Sequence, residues 1–492
     1  MLVLARTDSN KYGRRYGVQN AKNGRNHTDK FGKIGRSAAY VAKNAEVIMS
    51  LWRSVNDQIA RWHKDSSHKA LLITGARQVG KTYAIREFVE AHYESSLEIN
   101  FVETPRAKDI FEGDLDARTL VANLTAFCGK PLVPGASAVF FDEIQECPRA
   151  RTAIKFLVDD GRFDYIESGS LLGVLYRDVP SLPVGYENVV RMVPLSLREF
   201  FVALGIQPAT LGLLEDCYKL YREVPSAIHE RMLRLTRLYL ACGGMPAVVD
   251  QLVRTQDLAR VLSVQRDVVE LYRLDIARYA PNKPHVKAIF DAMPSEIIGT
   301  NKRFTLRDLA PTARMERYAS DFMWLVDAGV ALPCYNVRAP QAPLALNEQH
   351  SLFKLYPCDV GLLGAMLEQS VQFDLVQGDA GINNGALLET LAAQELVANG
   401  YDLRYFDKSK YGEIDFVLPR GSSILPVEIK SGESYRRHKS LNNVMGVLEW
   451  KIGEAKVFCP GNVHVDGSIA YLPWYMLMFC KAHEDAPLLV SW

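Results

Sequence analysis

None of the eight cysteines (128, 147, 217, 242, 334, 358, 459 and 480) forms a C-x-x-C pair, and no cluster of histidines adjoins them. That argues against a zinc site or a disulfide framework; it fits a reducing, cytoplasmic setting with most thiols buried as small apolar groups. No apolar run reaches the roughly 20 residues of a membrane span. The short apolar start Met1–Ala5 passes straight into polar sequence, unlike a secretory signal. Excess charge is missing too: the formal net charge is +1, so any nucleic-acid binding must rest on local patches. At 492 residues the chain is too long for one core, which points to about three domains.

The local exception is the stretch 6–43, rich in Lys, Arg, Gly and Asn, with Asp8 and Asp29 as its only acids. Such composition predicts a disordered segment over 1–48. Weak nucleic-acid contact and a natural start at Met49 are the alternatives.

Globular patterning begins near Leu51. Ala70–Thr74 is a short apolar run, followed by Gly75-Ala76-Arg77-Gln78-Val79-Gly80-Lys81-Thr82 and an amphipathic stretch from Lys81 to about His92. Strand, glycine-bearing loop and helix form the context that gives G-x-x-x-x-G-K-[ST] its meaning. Gly75 and Gly80 let backbone N–H groups turn inward onto phosphate, and the helix N-terminus adds partial positive charge. Lys81 is expected to reach the β- and γ-phosphates, and Thr82 to take a position on Mg²⁺. A second strand is expected at Leu97–Val102. The apolar Ala138–Phe141, running into Asp142-Glu143, reads as the metal-holding acid followed by the residue that orients the attacking water. After a further strand, Phe163–Glu167, Ser168 is the first candidate for a γ-phosphate sensor and Ser170 the second, with a plain strand-end turn as the alternative. Arg191 could supply positive charge to a nucleotide in its own or a neighbouring subunit, or form a structural ion pair.

The strings ALLITGARQVGKT, FFDEIQECPR, SGSLLG, VPLSLREF and YLACGGMPAVV together resemble a group of prokaryotic AAA+-superfamily ATPases that carry a C-terminal domain of unknown function. The resemblance implies ATP and Mg²⁺ as cofactors and assembly into homo-oligomers. It also implies an α/β chain with a parallel five-stranded P-loop sheet (49–205) and a helical lid (206–285). Gly243-Gly244-Met245-Pro246 would fall in that lid, as a tight turn or as a nucleotide contact. Thr305 and Asp308 suit the start of a helix over Phe304–Leu309. Another helix at Arg314–Ala328 and a strand from Gly329 to Tyr335 complete what looks like a winged-helix connector (286–345). Lys302 and Arg303 would favour DNA there, but Glu316 and Asp321 interrupt the basic face, so a spacer is the other reading.

In the last part, 346–492, Gly412–Leu418 and Ile424–Ile429 alternate as two strands around Arg420-Gly421-Ser422-Ser423. Closing this hairpin symmetrically sets Asp415 opposite Glu428 and puts Lys430 on the same face. D…E-x-K in this setting resembles the PD-(D/E)xK nuclease fold, a restriction-endonuclease-like α/β domain. By that resemblance Asp415 and Glu428 would hold Mg²⁺, helped by Glu389 on a helix at 386–398, while Lys430 would position water or phosphate. Ile414 stands where the family's proline would be. Arg436-Arg437-His438-Lys439 could meet a phosphate backbone or be a solvated helix start. The expected function is an Mg²⁺-dependent ATPase acting on DNA through its C-terminal domain. The alternative is a regulatory ATPase switch whose nuclease-like domain is inactive and docks a protein partner. No membrane role is expected.

Overall fold

Ser54–His63 (α1) buries Val55, Ile59 and Trp62, spaced by about one helical turn, against the start of a parallel sheet. The computed structural model describes residues 51–65, 67, 69–170, 182–299, 304, 315–367, 369–377 and 384–482. All of these belong to the unit that begins at Leu51. The basic segment 1–48, Met49, residues 171–173 of SGSLLG, and Lys302, Arg303 and Arg314 lie outside the described residues. So does the helix expected at Phe304–Leu309, apart from Phe304 itself.

The first sheet is built from β1 (Ala70–Thr74), α2 (Lys81–His92), β2 (Ser95–Asn100), α3 (Ala117–Cys128), β3 (Ser137–Asp142), α4 (Pro148–Asp160), β4 (Asp164–Gly169) and β5 (Glu187–Arg191). Its five strands run in the order β2-β3-β4-β1-β5 and every pairing is parallel. β1 and β3 are buried along their whole length, as strands covered on both faces must be. Separate apolar cores lie on the two faces. The expected strands at 97–102 and 163–167 are therefore 95–100 and 164–169.

α5 (Leu197–Ala203) follows, started by a capping box in which Ser196 and Glu199 satisfy each other's backbone N–H groups. Next come α6 (Pro208–Leu220), α7 (Ser226–Cys242), α8 (Pro246–Thr255), the long α9 (Leu258–Tyr279) and α10 (Lys283–Ile298). The turn Gly243–Met245 joins α7 to α8. The Gly244 carbonyl accepts from Leu195 N–H at 2.6 Å and its N–H donates to Asp359 at 2.6 Å. A Cβ on Gly244 would collide with the Leu195 carbonyl, so only glycine fits at that point of the turn.

The remaining elements are α11 (Met315–Asp327), β6 (Ala331–Val337), β7 (Glu348–Pro357), α12 (Val360–Ala365), α13 (Gln369–Gln377), α14 (Asn384–Ala398), β8 (Leu403–Lys408), β9 (Gly412–Ile414), β10 (Phe416–Arg420), β11 (Ser423–Ile429), α15 (Lys439–Met445), β12 (Ala455–Cys459), β13 (His464–Asp466) and β14 (Ile469–Pro473). β6 does not close a separate connector. It pairs antiparallel with β7 and parallel with β8, so a boundary at 345/346 would cut one four-stranded sheet, β7-β6-β8-β9. A five-stranded sheet, β10-β11-β12-β14-β13, continues from it, because β9 and β10 are one course of chain interrupted only at Asp415. One apolar core runs from α5–α9 to the C-terminal strands, including Leu195, Tyr239, Tyr272, Leu391 and Trp474. Among the described residues no helix is long and apolar enough to cross a membrane. Seven of the eight cysteines are buried and none is paired.

Candidate functional site

The loop between β1 and α2 forms because β1 ends beside β5. Met192 N–H donates to the Thr74 carbonyl at 2.7 Å, and the Met192 carbonyl then stands where a Cβ on Gly75 would lie. Only glycine fits there. Gly80 caps α2 at φ +94°, and Gln78 also takes a left-handed φ of 67°. Arg53 clamps the loop from below, donating to the Val79 carbonyl at 2.8 Å and the Val193 carbonyl at 2.6 Å while pairing with Glu199 at 3.3 Å. Above the loop, Tyr272 of α9 donates to the Arg77 carbonyl at 2.9 Å.

Lys81 is buried, and its Nζ donates to the Gly75 and Ala76 carbonyls at 3.0 and 2.8 Å. Burial lowers its pKa to about 8; Glu143 and Asp142 oppose that fall and Arg77 adds to it. Thr82 donates to Asp142 at 3.1 Å, and Ser168 donates to the same carboxylate from the end of β4. Asn100, whose strand register puts it beside Asp142, donates at 2.9 Å. Three chain segments thus converge on the carboxylate that β3 carries. Glu143 follows in a left-handed turn (φ 54°) and accepts from Gln145. This is an oxygen-donor set of the kind a hard dication takes, with phosphate supplying further oxygens. Ser170 lies just past β4, half-buried. Arg191 ends β5 opposite Thr74 and lines a cleft of about 640 Å³ with Arg61, Arg198 and Lys481, rather than joining the Asp142 group.

The second cluster forms where β9 and β10 break. Phe416 pairs with Val427 across a two-residue turn, so Asp415 falls opposite Glu428, as the symmetric hairpin requires. Asp415 accepts from the Ile429 N–H at 2.8 Å and Glu428 accepts from Lys430 at 2.5 Å. Burial, with Asp415 facing it, pushes Glu428 up to about 7 against the pull of Lys430. Among the described residues, the carboxylates that gather within 4.8 Å of one another are Glu389, Glu413 and Asp415. Glu428 is not in that trio; Glu413, two residues before Asp415 on the same face, takes its place. Lys354 of β7 reaches this trio, 2.5 Å from Glu413 and 3.8 Å from Glu389. Burial alone would lower its pKa, but the surrounding carboxylates hold it above the ordinary lysine value. Of the basic run 436–439, His438 is buried and bonded to Tyr471 and Asn442, so the run is not a continuous solvent-facing stripe.

Sequence reading missed Asn100, Arg53, Glu413 and Lys354. A polar residue at the end of β2 was the available signal for Asn100, and the period-two partner of Asp415 was the signal for Glu413. Nothing local marks Lys354, which arrives from another strand of the sheet.

Residues 67–201 match the family model described as an AAA domain. With the five-stranded parallel sheet and its loop, this supports an AAA+ ATPase-like domain over that segment. Residues 233–372 and 384–476 match models described as domains of unknown function, DUF8612 and DUF4143 respectively. No curated protein matches the chain. Among solved structures, the Aeropyrum pernix ORC1 protein in complex with DNA is similar at 11% identity and TM-score 0.28, covering 68% of this chain and 95% of that one. Thermotoga maritima RuvB T158V is similar at 14% identity and TM-score 0.26, covering 56% and 87%. Cdc6p from Pyrobaculum aerophilum is similar at 12% identity and TM-score 0.25, covering 66% and 92%.

Proposed function

We propose that this chain binds Mg²⁺-ATP at the Gly75–Thr82 loop, hydrolyses it, and uses the cycle to govern a C-terminal site that acts on DNA. The observation that carries the first part is the meeting of Thr82, Ser168 and Asn100 on Asp142, directly beyond Lys81. Thr82 and Asp142 would hold Mg²⁺, which would neutralise charge on the β- and γ-phosphates. Lys81 would leave its two carbonyl partners for phosphate, and Ser168 would report the γ-phosphate to Asp142. Glu143 would orient the attacking water. Calorimetry with Mg²⁺-ATP tests this part: Lys81→Ala should weaken binding by about 100-fold or more, a loss of roughly 3 kcal/mol. Unchanged affinity would refute it.

The second part rests on Asp415 facing Glu428 beside Lys430, with Glu389 and Glu413 close by. Asp415, Glu428 and Glu389 would hold Mg²⁺ against a phosphodiester, with Lys430 steadying water or phosphate, as the PD-(D/E)xK resemblance implies. One observation favours another reading. The Lys354 ammonium already answers the charge of Glu389 and Glu413, which suits an inactive domain that docks a protein partner. Titration with Mn²⁺ separates the two. Binding at millimolar concentration or tighter, lost in Asp415→Ala/Glu428→Ala, with DNA-stimulated ATP turnover, supports action on DNA. No Mn²⁺ binding leaves the docking reading. Assembly into homo-oligomers belongs to the same proposal.

A further inference from the structure

Arg191 was the sequence candidate for an arginine acting on nucleotide, yet the loop itself holds a better placed one. Arg77 is the third residue of the eight-residue loop, and its side chain stands at the rim between the loop and α9. One guanidinium nitrogen pairs with Asp275 at 2.5 Å, and the group lies 4.9 Å over the ring of Tyr279. Tyr272, Asp275 and Tyr279 are spaced three and four residues apart, so α9 offers all three to the loop from one face. Arg77 directly follows Ala76, whose carbonyl, with that of Gly75, holds the Lys81 ammonium.

We propose that Arg77 is the charge-stabilising arginine of this ATPase, acting within its own subunit and exchanging Asp275 for the γ-phosphate when ATP binds. The inference rests on the ATPase reading above. The exchange is physically easy. The Arg77 and Asp275 side chains are 37% and 23% exposed, and a partly solvated single-oxygen pair contributes little. A γ-phosphate offers more charge and a geometry that suits the guanidinium fork. The Arg77 backbone need not move, because Tyr272 holds its carbonyl. In the reaction, the water oxygen bonds to the γ-phosphorus as the bond to the β–γ bridging oxygen breaks. Glu143 takes the water proton, ADP and phosphate leave, and Arg77 offsets charge on the γ-oxygens. ADP has no group to take Arg77 from Asp275, so ATP alone breaks the Arg77–Asp275 pair while the Tyr272 contact to α9 stays in place. That gives the lid a means of telling the two nucleotides apart.

The test uses the full chain, steady-state ATP hydrolysis, and calorimetry with ADP and with β,γ-imido-ATP. Arg77→Ala should lower kcat by about 10³-fold while leaving ADP affinity within about threefold of wild type, and Arg77→Lys should recover only part of the rate. Asp275→Asn should tighten the imido analogue about fivefold and leave ADP unchanged, since only the former competes with Asp275. Turnover by Arg77→Ala above about a tenth of the wild-type rate would overturn the proposal. So would equal effects of Asp275→Asn on both nucleotides. If wild type turns over normally and Arg77→Ala is unaffected, only the Arg77 role falls. If wild type neither binds nor hydrolyses ATP, the ATPase reading falls and takes this inference with it.

Discussion

The loop site and the C-terminal site both place buried carboxylates beside a lysine, but they treat charge differently. At the loop, a single acid, Asp142, collects neutral donors from Thr82, Ser168 and Asn100, and the nearby ammonium of Lys81 rests on backbone carbonyls. Ligands can displace those contacts without leaving a buried charge unanswered. At the C-terminal site Lys354 pairs with Glu389 and Glu413, and Lys430 with Glu428, so two ammonium groups partly offset the acids from within the protein. A dication entering there must compete with, or add to, ammonium groups already in place. The first arrangement lets its ammonium and its carboxylate change partners; the second already holds two ammonium groups against its acids.

The largest effect that sharpens this contrast should come from Lys354→Met. Removing a buried ammonium leaves Glu389 and Glu413 without their lysine partner, and the folded state should lose about 3–5 kcal/mol. If the site accepts a dication, millimolar Mn²⁺ should raise the melting temperature of Lys354→Met more than that of wild type. Equal shifts in the two proteins would mean that the carboxylates serve structure alone.

At the loop the corresponding lever is pH. Lys81, lowered to about 8 by burial, is charged below that pH and loses its proton above it. Phosphate favours the charged form, so the nucleotide-bound state holds more protons than the free one. Binding is therefore fully favoured below about pH 8 and weakens by up to about tenfold per unit above it, until the bound-state pKa is reached. Measuring ATP affinity from pH 7 to 10 checks this, and a flat profile would count against the placement of Lys81. The smallest effect should come from Asn100→Ala, which removes one hydrogen bond to the Asp142 carboxylate. Mg²⁺-ATP affinity should fall by about three- to tenfold, read by the same calorimetry.

The two sites also differ in how far they could be read from sequence. Gly75–Thr82 and Asp142-Glu143 are contiguous, and their roles depend on local strand, loop and helix geometry. The hairpin register was legible for a similar reason: a two-residue turn at Gly421-Ser422 fixes every pair, so Asp415 had to face Glu428. What could not be read depends on distant chain segments. Lys354 reaches the acids from β7, and Arg53 reaches the loop from ahead of α1. Residues 304–335 read as the two helices and strand of a winged-helix-like connector, yet the strand, β6, is built into the sheet that carries Glu413. Pairing of β6 with β8, about 70 residues on, leaves no local trace.

The central claim is that Asp142 and Glu143 end a strand for hydrolysis and not for binding alone. The most direct measurement is steady-state Mg²⁺-ATP turnover by Glu143→Gln beside its ATP affinity. The account predicts affinity within about threefold of wild type and a turnover rate at least about 100-fold lower, because the loop, Thr82 and Asp142 are intact while the water loses its orienting carboxylate. Hydrolysis by Glu143→Gln at the wild-type rate would contradict it.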